Sequence, residues 1–498
     1  MLKKFAAALL CAAPLLAQAA APSQSATDTA RYALDTYRNE VVDSLARLVS
    51  YNTVADPKQA FETNPQFVGF KAYLKQEAGR LGFDYADFGY VVRIGLGNST
   101  QRVGVITHGD VQPVDPSKWA KSPFELDRTT EPGRLLARGS EDDKGPIATA
   151  LYAMKAIKDR AVPLQKRIEL YVYLAEESDW EHLVSFLKEH EPPQMNITLD
   201  SEYPAVTAEK GWGLIALSVP RLPPAPAGQP AVTEFGGGFF VSQIPEDAHA
   251  VLERVDAALE QRVRARAAAQ QGMQYNFTRD GATLKIVARG VSAHSSKPEA
   301  GVNAISMLAD ALAVQRWPDN TAGALVNLLN ELVGTGYQGE KFGKIAYSDR
   351  FMGPMTVAPT VIEGEDGGLK LSINLRRPQG KTETQLKGEI TAALGAWQQA
   401  HMPLAAVQIE LGEPWLQSDA PQLDTLLSVF AHYTGDHKAA PVAIGGGTNS
   451  RLFPHAVSFG PTMPGKVYTG HSEHEYITLD QLLLNLQMYT AVLVELAR

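Results

Sequence analysis

The stretch VGVITHGD, residues 103–110, runs from an apolar segment into a histidine and an aspartate. We interpret its first part as a buried strand. Successive side chains of a strand point to opposite faces, so His108 and Asp110 point the same way. An imidazole and a carboxylate that leave a strand end together can share one metal ion. Alone, this pair is weak evidence and suits a polar strand end at the surface better than a metal site, so its meaning depends on the rest of the chain.

Four later segments carry polar groups that match this pair. The strand-like run at 168–175 ends in Glu176, Glu177 and Asp179, and the run at 195–199 ends in Asp200. The other two segments are LLARGSEDDKGP at 135–146, which contains Asp142, and GHSEHEY at 470–476. Open α/β sheets bind ligands beyond the carboxyl ends of their strands. These segments therefore predict one shared site.

The alternation of strand-like and helical patterns predicts an α/β fold. We expect a catalytic α/β domain with a mixed central sheet flanked by helices, plus an inserted α+β lid domain. The proline-rich segment at 221–230 predicts a loop or linker, and the pattern of predicted elements changes around it. A helix is expected from Pro245 to about Ala269. The expected division is a signal peptide at 1–21, the catalytic domain at 22–207, the lid at 208–382, and the rest of the catalytic domain at 383–498.

Composition and the amino terminus limit the function classes. The net charge is −9 and no long basic run occurs, which argues against nucleic acid or an anionic membrane as a partner. A basic start, an apolar stretch at 5–16 and Ala17-Gln18-Ala19 predict a bacterial signal peptide. Cys11, the single cysteine, lies inside it, and Leu10 fits a lipoprotein signal poorly. We therefore expect a periplasmic or secreted protein that has no membrane association in its mature form and no cysteine nucleophile.

Together, the motifs resemble the two-zinc superfamily of aminoacylases and carboxypeptidase G, most closely its dipeptidase branch of carnosinases and bacterial Xaa-dipeptidases. The resemblance rests on His-x-Asp, Arg-Gly-x-x-Asp-Asp-Lys-Gly-Pro, Glu-Glu after a strand, and His-x-x-x-Glu near the end. It implies that His108 and Asp200 bind one zinc ion, that Glu177 and His471 bind the other, and that Asp142 bridges them. Asp110 is then expected to orient His108, and Glu176 to be the general base.

The chemistry of the residues agrees with a pair of metal ions. Two histidines and three carboxylates form a nitrogen and oxygen ligand set that suits Zn²⁺, although Mn²⁺ or Co²⁺ is also possible. A shared carboxylate allows two ions to lie about 3.5–4 Å apart, as in two-metal hydrolases. Glu141 and Asp143 flank Asp142, and Asp142 is chosen as the bridging ligand from the family pattern alone.

The resemblance also implies substrate contacts in and near the lid. His294 is expected to hydrogen-bond the oxyanion, and Arg376 to bind the free carboxylate of the substrate as a two-pronged donor. The loop Gly445, Gly446 and Gly447 is similar to a carboxylate-binding loop of the dipeptidase branch. Ser242 stands where that branch usually has an asparagine. A serine can still donate a hydrogen bond but reaches less far, so we expect the substrate range or the efficiency to differ from that branch.

These residues predict a zinc-dependent dipeptidase, a metallo-exopeptidase that hydrolyses dipeptides with a free C-terminal carboxylate. The alternative is an N-acyl amino acid deacylase or a carboxypeptidase of the same superfamily, since these enzymes share the ligands. A metal-binding or solute-binding protein without catalysis is a third possibility, against which the presence of Glu176 argues. The expected lid is longer than a dimerising lid needs, which favours a monomer over a homodimer.

Overall fold

The computed structural model describes residues 21–498, so the expected signal peptide lies outside it apart from Ala21. The helices are α1 Gln24–Val49, α2 Pro65–Leu81, α3 Lys144–Asp159, α4 Glu181–Glu189, α5 Ala257–Ala268, α6 Ala304–Ala311, α7 Thr321–Leu328, α8 Glu383–Ala400, α9 Leu423–Thr434 and α10 Leu479–Ala497. None of these helices is both long and apolar enough to cross a membrane.

The strands up to residue 219 are β1 Asp84–Asp87, β2 Val91–Leu96, β3 Arg102–His108, β4 Arg134–Leu136, β5 Arg167–Tyr173, β6 Met195–Thr198, β7 Ser201–Glu202, β8 Val206–Glu209 and β9 Gly211–Val219. The next are β10 Ala231–Gly237, β11 Gln243–Ile244, β12 Asp247–Glu253, β13 Gln274–Asp280, β14 Thr283–Arg289, β15 Ala293–His294, β16 Ser348–Asp349, β17 Gly353–Pro354, β18 Thr356–Glu365 and β19 Gly368–Arg377. The last are β20 Ala406–Leu411, β21 Trp415–Leu416, β22 Val442–Ile444, β23 Val457–Ser458, β24 Pro461–Thr462 and β25 Tyr476–Thr478.

The first sheet has the order β1-β2-β5-β3-β6-β23-β8-β21, with β22 beside β8. Its central strands β5, β3 and β6 are parallel, whereas β1 and β2 are antiparallel. The run 103–108 is buried on both faces, as expected for a central parallel strand. Val103 and Val105 belong to the core that contains α1, α3 and α10, and Ile106 packs on the other side with residues of α4. This mixed sheet with helices on both faces confirms the predicted fold class.

The second sheet is antiparallel, with the order β13-β14-β12-β10-β18-β19-β9-β20. Helices α5 to α8 contribute to a separate apolar core on it. The helix predicted from Pro245 to about Ala269 is wrong in its first half, since residues 247–253 form β12. Its side chains alternate in burial, and it pairs with both β10 and β14.

The chain leaves the first sheet between β8 and β9 and returns to it between β20 and β21. Strand β20 pairs with β9, and Leu386, Ile390 and Leu394 of α8 lie in the second core. The expected boundary at residue 382 stays a prediction. The pairing of β20 favours a later return, near Gly412, because that residue joins the two sheets.

Candidate metal centre

The carboxyl ends of the three parallel strands bring His108, Glu176, Glu177 and Asp200 to one edge of the first sheet. His108 is the last residue of β3 and lies opposite Tyr173 of β5. Strand β6 is in register with β3, with Thr198 opposite Ile106. Glu176 and Glu177 therefore follow β5, and Asp200 follows β6, at the same edge as His108.

Asp142 lies between the two predicted histidine ligands. Its Oδ1 is 2.8 Å from His108 Nε2, and its Oδ2 is 3.3 Å from His471 Nε2. His108 Nε2 is also 3.7 Å from Asp200 Oδ2, whereas His471 Nε2 is 2.9 Å from Glu177 Oε1. The five side chains thus form two neighbouring groups that share Asp142.

Asp110 connects the strand end to the acidic loop. Its Oδ1 accepts the backbone N–H of Glu176 and its Oδ2 that of Glu177, both at 3.0 Å. The same carboxylate lies 3.5 Å from His108 Nδ1, and the backbone carbonyl of Asp110 lies 3.1 Å from that atom. Asp110 is therefore arranged to orient an imidazole and the two glutamates together.

Charges of both signs are crowded in this cluster. Burial and the nearby Asp200 raise the pKa of Glu176 well above its usual range. Burial also raises the pKa of Asp200 to about 7, against the effect of His108. Although burial alone acts the other way, Glu177 and Asp142 raise the pKa of His471 to about 10. Carboxylates held this close repel one another, and a bound cation would relieve that repulsion.

The donor set fits divalent metal ions. Ligand atoms of His108, Asp142 and Glu177 lie within 4.8 Å of one another, and so do those of His108, Glu176 and Asp200. Each group contains one of the two adjacent glutamates, so the groups alone do not distinguish a ligand role for Glu177 from a base role for Glu176. Glu176 Oε1 is buried without a hydrogen-bond partner among the described residues, which leaves it available to another group. Nitrogen and oxygen ligands of this kind suit Zn²⁺, Mn²⁺ or Co²⁺.

Two buried carboxylates fasten the loop of Asp142 to the loop of His471. Glu475 accepts the backbone N–H groups of residues 139, 141 and 142 and pairs with the buried Arg138 at 2.8 Å. In the reverse direction, Glu141 accepts the backbone N–H and the hydroxyl of Thr469, each at 2.7 Å. The structure thus gives Glu141 and Glu475 contacts of their own, apart from the metal cluster.

A two-stranded sheet of β11 and β15, separate from the two large sheets, brings His294 to the same place. His294 ends β15, which pairs with β11. Its ring centroid lies 4.3 Å from that of His471, and its Nδ1 accepts the backbone N–H of Ser296. Burial and the neighbouring His471 lower the pKa of His294 well below its usual value. The side chain is therefore neutral at pH 7, with its proton on Nε2 and available for donation.

Arg376, on β19, is a buried cation in the cleft next to the cluster. Its guanidinium donates to Asn374 Oδ1 and Ser295 Oγ, both at 3.2 Å. Within residues 21–498 it has no carboxylate partner within 4.0 Å. Burial and the nearby Arg451 lower its pKa to about 10. A buried guanidinium without a counter-ion is suited to bind an anionic ligand.

The three glycines follow β22, and the first of them closely approaches the segment that follows β15. A Cβ at Gly445 would lie only 2.6 Å from the carbonyl oxygen of Ser296. Behind this loop, Thr448 and Arg451 both hydrogen-bond the buried Glu209. Gly447 and Ser242 line the cleft that contains Arg376, which has a volume of about 520 Å³. All the predicted site residues are thus near the cluster or its cleft.

Several residues around the site were missed by sequence reasoning. Tyr468 donates to Asp142 Oδ2, and Gln112 donates to Glu177 Oε2 at 2.8 Å. Lys210, at the crossing between the two sheets, also lines the cleft of Arg376. None of the three belongs to a recognisable motif. Gln112 lies two residues after Asp110, Tyr468 lies three residues before His471, and Lys210 lies between β8 and β9, but no pattern at these positions indicates a role in the site.

Comparisons with known proteins agree with this geometry. The sequence matches peptidase family M20/M25/M40 over residues 104–495. A Beta-Ala-Xaa dipeptidase of Lactobacillus delbrueckii subsp. lactis is 28% identical over 93% of this chain and 97% of its own length.

Two solved structures share the fold. Human carnosine dipeptidase 1 has a TM-score of 0.58 at 14% identity and covers 96% of this chain and 99% of its own. The di-peptidase Dug1p of Saccharomyces cerevisiae has a TM-score of 0.56 at 13% identity, over 94% of this chain and 98% of its own. Because the family match covers well over half of the sequence, the chain belongs to peptidase family M20/M25/M40, a metal-dependent family, and the resemblance to metallopeptidases predicted from its motifs is confirmed.

Proposed function

We propose that this chain is a zinc-dependent dipeptidase that acts on dipeptides with a free C-terminal carboxylate. One observation carries the proposal: a two-part cluster of histidines and carboxylates around Asp142 lies beside a cleft that contains Arg376, a buried cation with no carboxylate partner within residues 21–498. The first feature suits hydrolysis of an amide bond, and the second suits a substrate that ends close to that bond. The related dipeptidase from Lactobacillus supports the substrate class.

Each ligand has a role in this proposal. His108 and Asp200 would hold one ion, Glu177 and His471 would hold the other, and Asp142 would be shared between them. A pair of ions held there would polarise the scissile carbonyl and lower the pKa of a water molecule to about 7. Mn²⁺ or Co²⁺ could replace Zn²⁺, because nitrogen and oxygen ligands do not fix the metal.

The protein's own groups handle the protons and the developing charge. Glu176 takes a proton from the attacking water and gives it to the leaving amine, a task for which its buried Oε1, without a hydrogen-bond partner among the described residues, is available. His294 is neutral and donates from Nε2 to the developing oxyanion. Arg376 and the loop at 445–447 hold the substrate's carboxylate, with a smaller contribution from Ser242.

The remaining features of the proposal concern location and assembly. The residues 1–21 support export to the periplasm or the medium of a bacterial cell. A monomer is favoured because His294 lies beside His471 of the same chain. A lid that begins near residue 208 would then close over the chain's own site.

The metal-free protein tests the function directly. We expect no turnover after removal of metal by a chelator, and recovery when Zn²⁺, Mn²⁺ or Co²⁺ is added back. With the best metal, kcat/KM for alanyl-alanine should exceed that for N-acetyl-alanine by about 100-fold, because a site that binds a free amine rejects an analogue in which that amine is blocked. A preference for N-acetyl or N-succinyl amino acids would replace the proposal with a deacylase. Stoichiometric metal uptake without turnover of either class would indicate a binding protein.

Replacement of Arg376 by methionine tests carboxylate recognition. We expect kcat/KM for alanyl-alanine to fall about 100-fold, since a charge-assisted hydrogen-bond pair contributes about 3 kcal/mol. Hydrolysis of alanyl-alanine amide, which lacks the carboxylate, should change by less than about 3-fold. Arg289→Met, at an exposed position on β14, is the matched control and should affect neither substrate. Equal losses on both substrates would show that Arg376 does not bind the C-terminal carboxylate of the substrate.

A further inference from the structure

Tyr468 contacts the central carboxylate of the cluster from outside the predicted ligand set. Its hydroxyl donates a hydrogen bond to Asp142 Oδ2. Its ring meets His294 edge-on, with a centroid distance of 5.8 Å, and lines the same cavity as Glu176 and Asp200. Tyr468 thus lies against both the ligand shared by the two groups and the proposed oxyanion donor.

The backbone nearby leaves space for this contact. A Cβ built on Gly470 would overlap the hydroxyl of Tyr468 and lie 2.8 Å from Asp142 Oδ2. A side chain at position 470 would therefore separate the phenol from the carboxylate. The glycine immediately before His471 allows Tyr468 and His471 to approach the same oxygen.

The two histidines that pair with the Asp142 carboxylate are expected to bind metal ions, unlike Tyr468. Among the residues that the structure describes, His108, His471 and Tyr468 are the side chains that form hydrogen bonds or ion pairs with its oxygens. Both imidazoles are proposed metal ligands, so their nitrogens are directed to the ions when these are bound. Tyr468 is then the one side chain that remains a hydrogen-bond donor to this carboxylate.

We infer that Tyr468 is a positioning residue that fixes the orientation of the bridging carboxylate and withdraws part of its negative charge. The inference rests on the proposed function, in which Asp142 contacts both ions. A hydrogen bond to a ligating carboxylate limits its rotation, and losing such a partner typically weakens metal binding by about 10- to 100-fold. Because the group does not touch the substrate in this role, substrate affinity is not expected to depend on it.

The variant Tyr468→Phe removes the hydroxyl and keeps the ring. Metal-free protein titrated with Zn²⁺ in a calorimeter should show at least one of its sites weakened by about 10-fold. Turnover of alanyl-alanine at saturating Zn²⁺ should show kcat reduced by about 10-fold, with KM unchanged within about 2-fold. Tyr73→Phe is the matched control, since this phenol contacts Ser44, remote from the cluster, and should change neither quantity.

The outcomes separate this inference from the proposed function. Unchanged Zn²⁺ affinity in Tyr468→Phe, or a higher KM with normal kcat, would overturn the inference. If the wild-type protein hydrolyses no peptide, the proposed function fails, whereas the Zn²⁺ titration still tests the contact with Asp142. An equal loss of thermal stability in Tyr468→Phe and Tyr73→Phe, with no difference in Zn²⁺ affinity, would assign the hydroxyl to packing alone.

Discussion

Replacing Glu176 with glutamine is expected to lower kcat by about 1000-fold while the protein keeps its metal ions. Glutamine has nearly the same shape but cannot accept a proton from water at neutral pH. The carboxylate is the only change, and its Oε1 makes no hydrogen bond to any other described residue, so little else is disturbed. Steady-state kinetics on alanyl-alanine and metal content by elemental analysis are the two measurements.

The control for this prediction is Glu181→Gln, a change of the same type in the first turn of α4. It should leave both kcat and metal content unchanged. If Glu176→Gln instead lost its metal, Glu176 would be a ligand, as its grouping with His108 and Asp200 also allows. The division of labour between Glu176 and Glu177 would then be wrong.

The parallel core of the first sheet could be predicted because its strands are nearly continuous apolar runs. Residues 103–108 and 168–173 are buried on both faces, and such segments have few alternatives. The helix predicted over residues 247–253 is wrong because the local preference of these residues and their pairing in the fold disagree. Alanine, leucine and glutamate favour helices locally, but hydrogen bonding to β10 and β14 outweighs that preference.

In the candidate site, too, some residues could be predicted from the sequence and others could not. Its possible ligands follow strands or belong to short motifs, so the sequence could predict His108, Asp142, Glu177, Asp200 and His471 as a set that the structure brings together. The contact of Tyr468 with Asp142 and the position of Lys210 in the cleft could not be predicted, since neither residue has a pattern of its own. Glu475 is an intermediate case. The His-x-x-x-Glu motif pointed to it, but its partners 333 or more residues away became apparent only in the fold.

Replacing Glu475 with glutamine is expected to reduce the free energy of unfolding of the metal-free protein by about 3 kcal/mol. The carboxylate has two buried neighbours on each oxygen: Arg138 and Gly139 on Oε2, and the N–H groups of Glu141 and Asp142 on Oε1. An amide would direct an N–H₂ group at two of these donors and leave the buried guanidinium without a counter-ion. Urea unfolding monitored by circular dichroism measures the loss.

An exposed ion pair provides the matched comparison. Asp84→Asn breaks the contact of Asp84 with Arg167, where Asp84 is 54% exposed, and should cost less than about 1 kcal/mol. Adding Arg138→Met to Glu475→Gln should recover part of the stability, since it removes the uncompensated charge. Recovery should remain incomplete, because backbone N–H groups at residues 139–142 still lack their acceptor. The loop that presents Asp142 would stay poorly fixed, so the double variant should bind Zn²⁺ about 10-fold more weakly than wild type. Full recovery of both stability and Zn²⁺ affinity would show that Glu475 serves only to neutralise Arg138, and not to shape the loop of the bridging ligand.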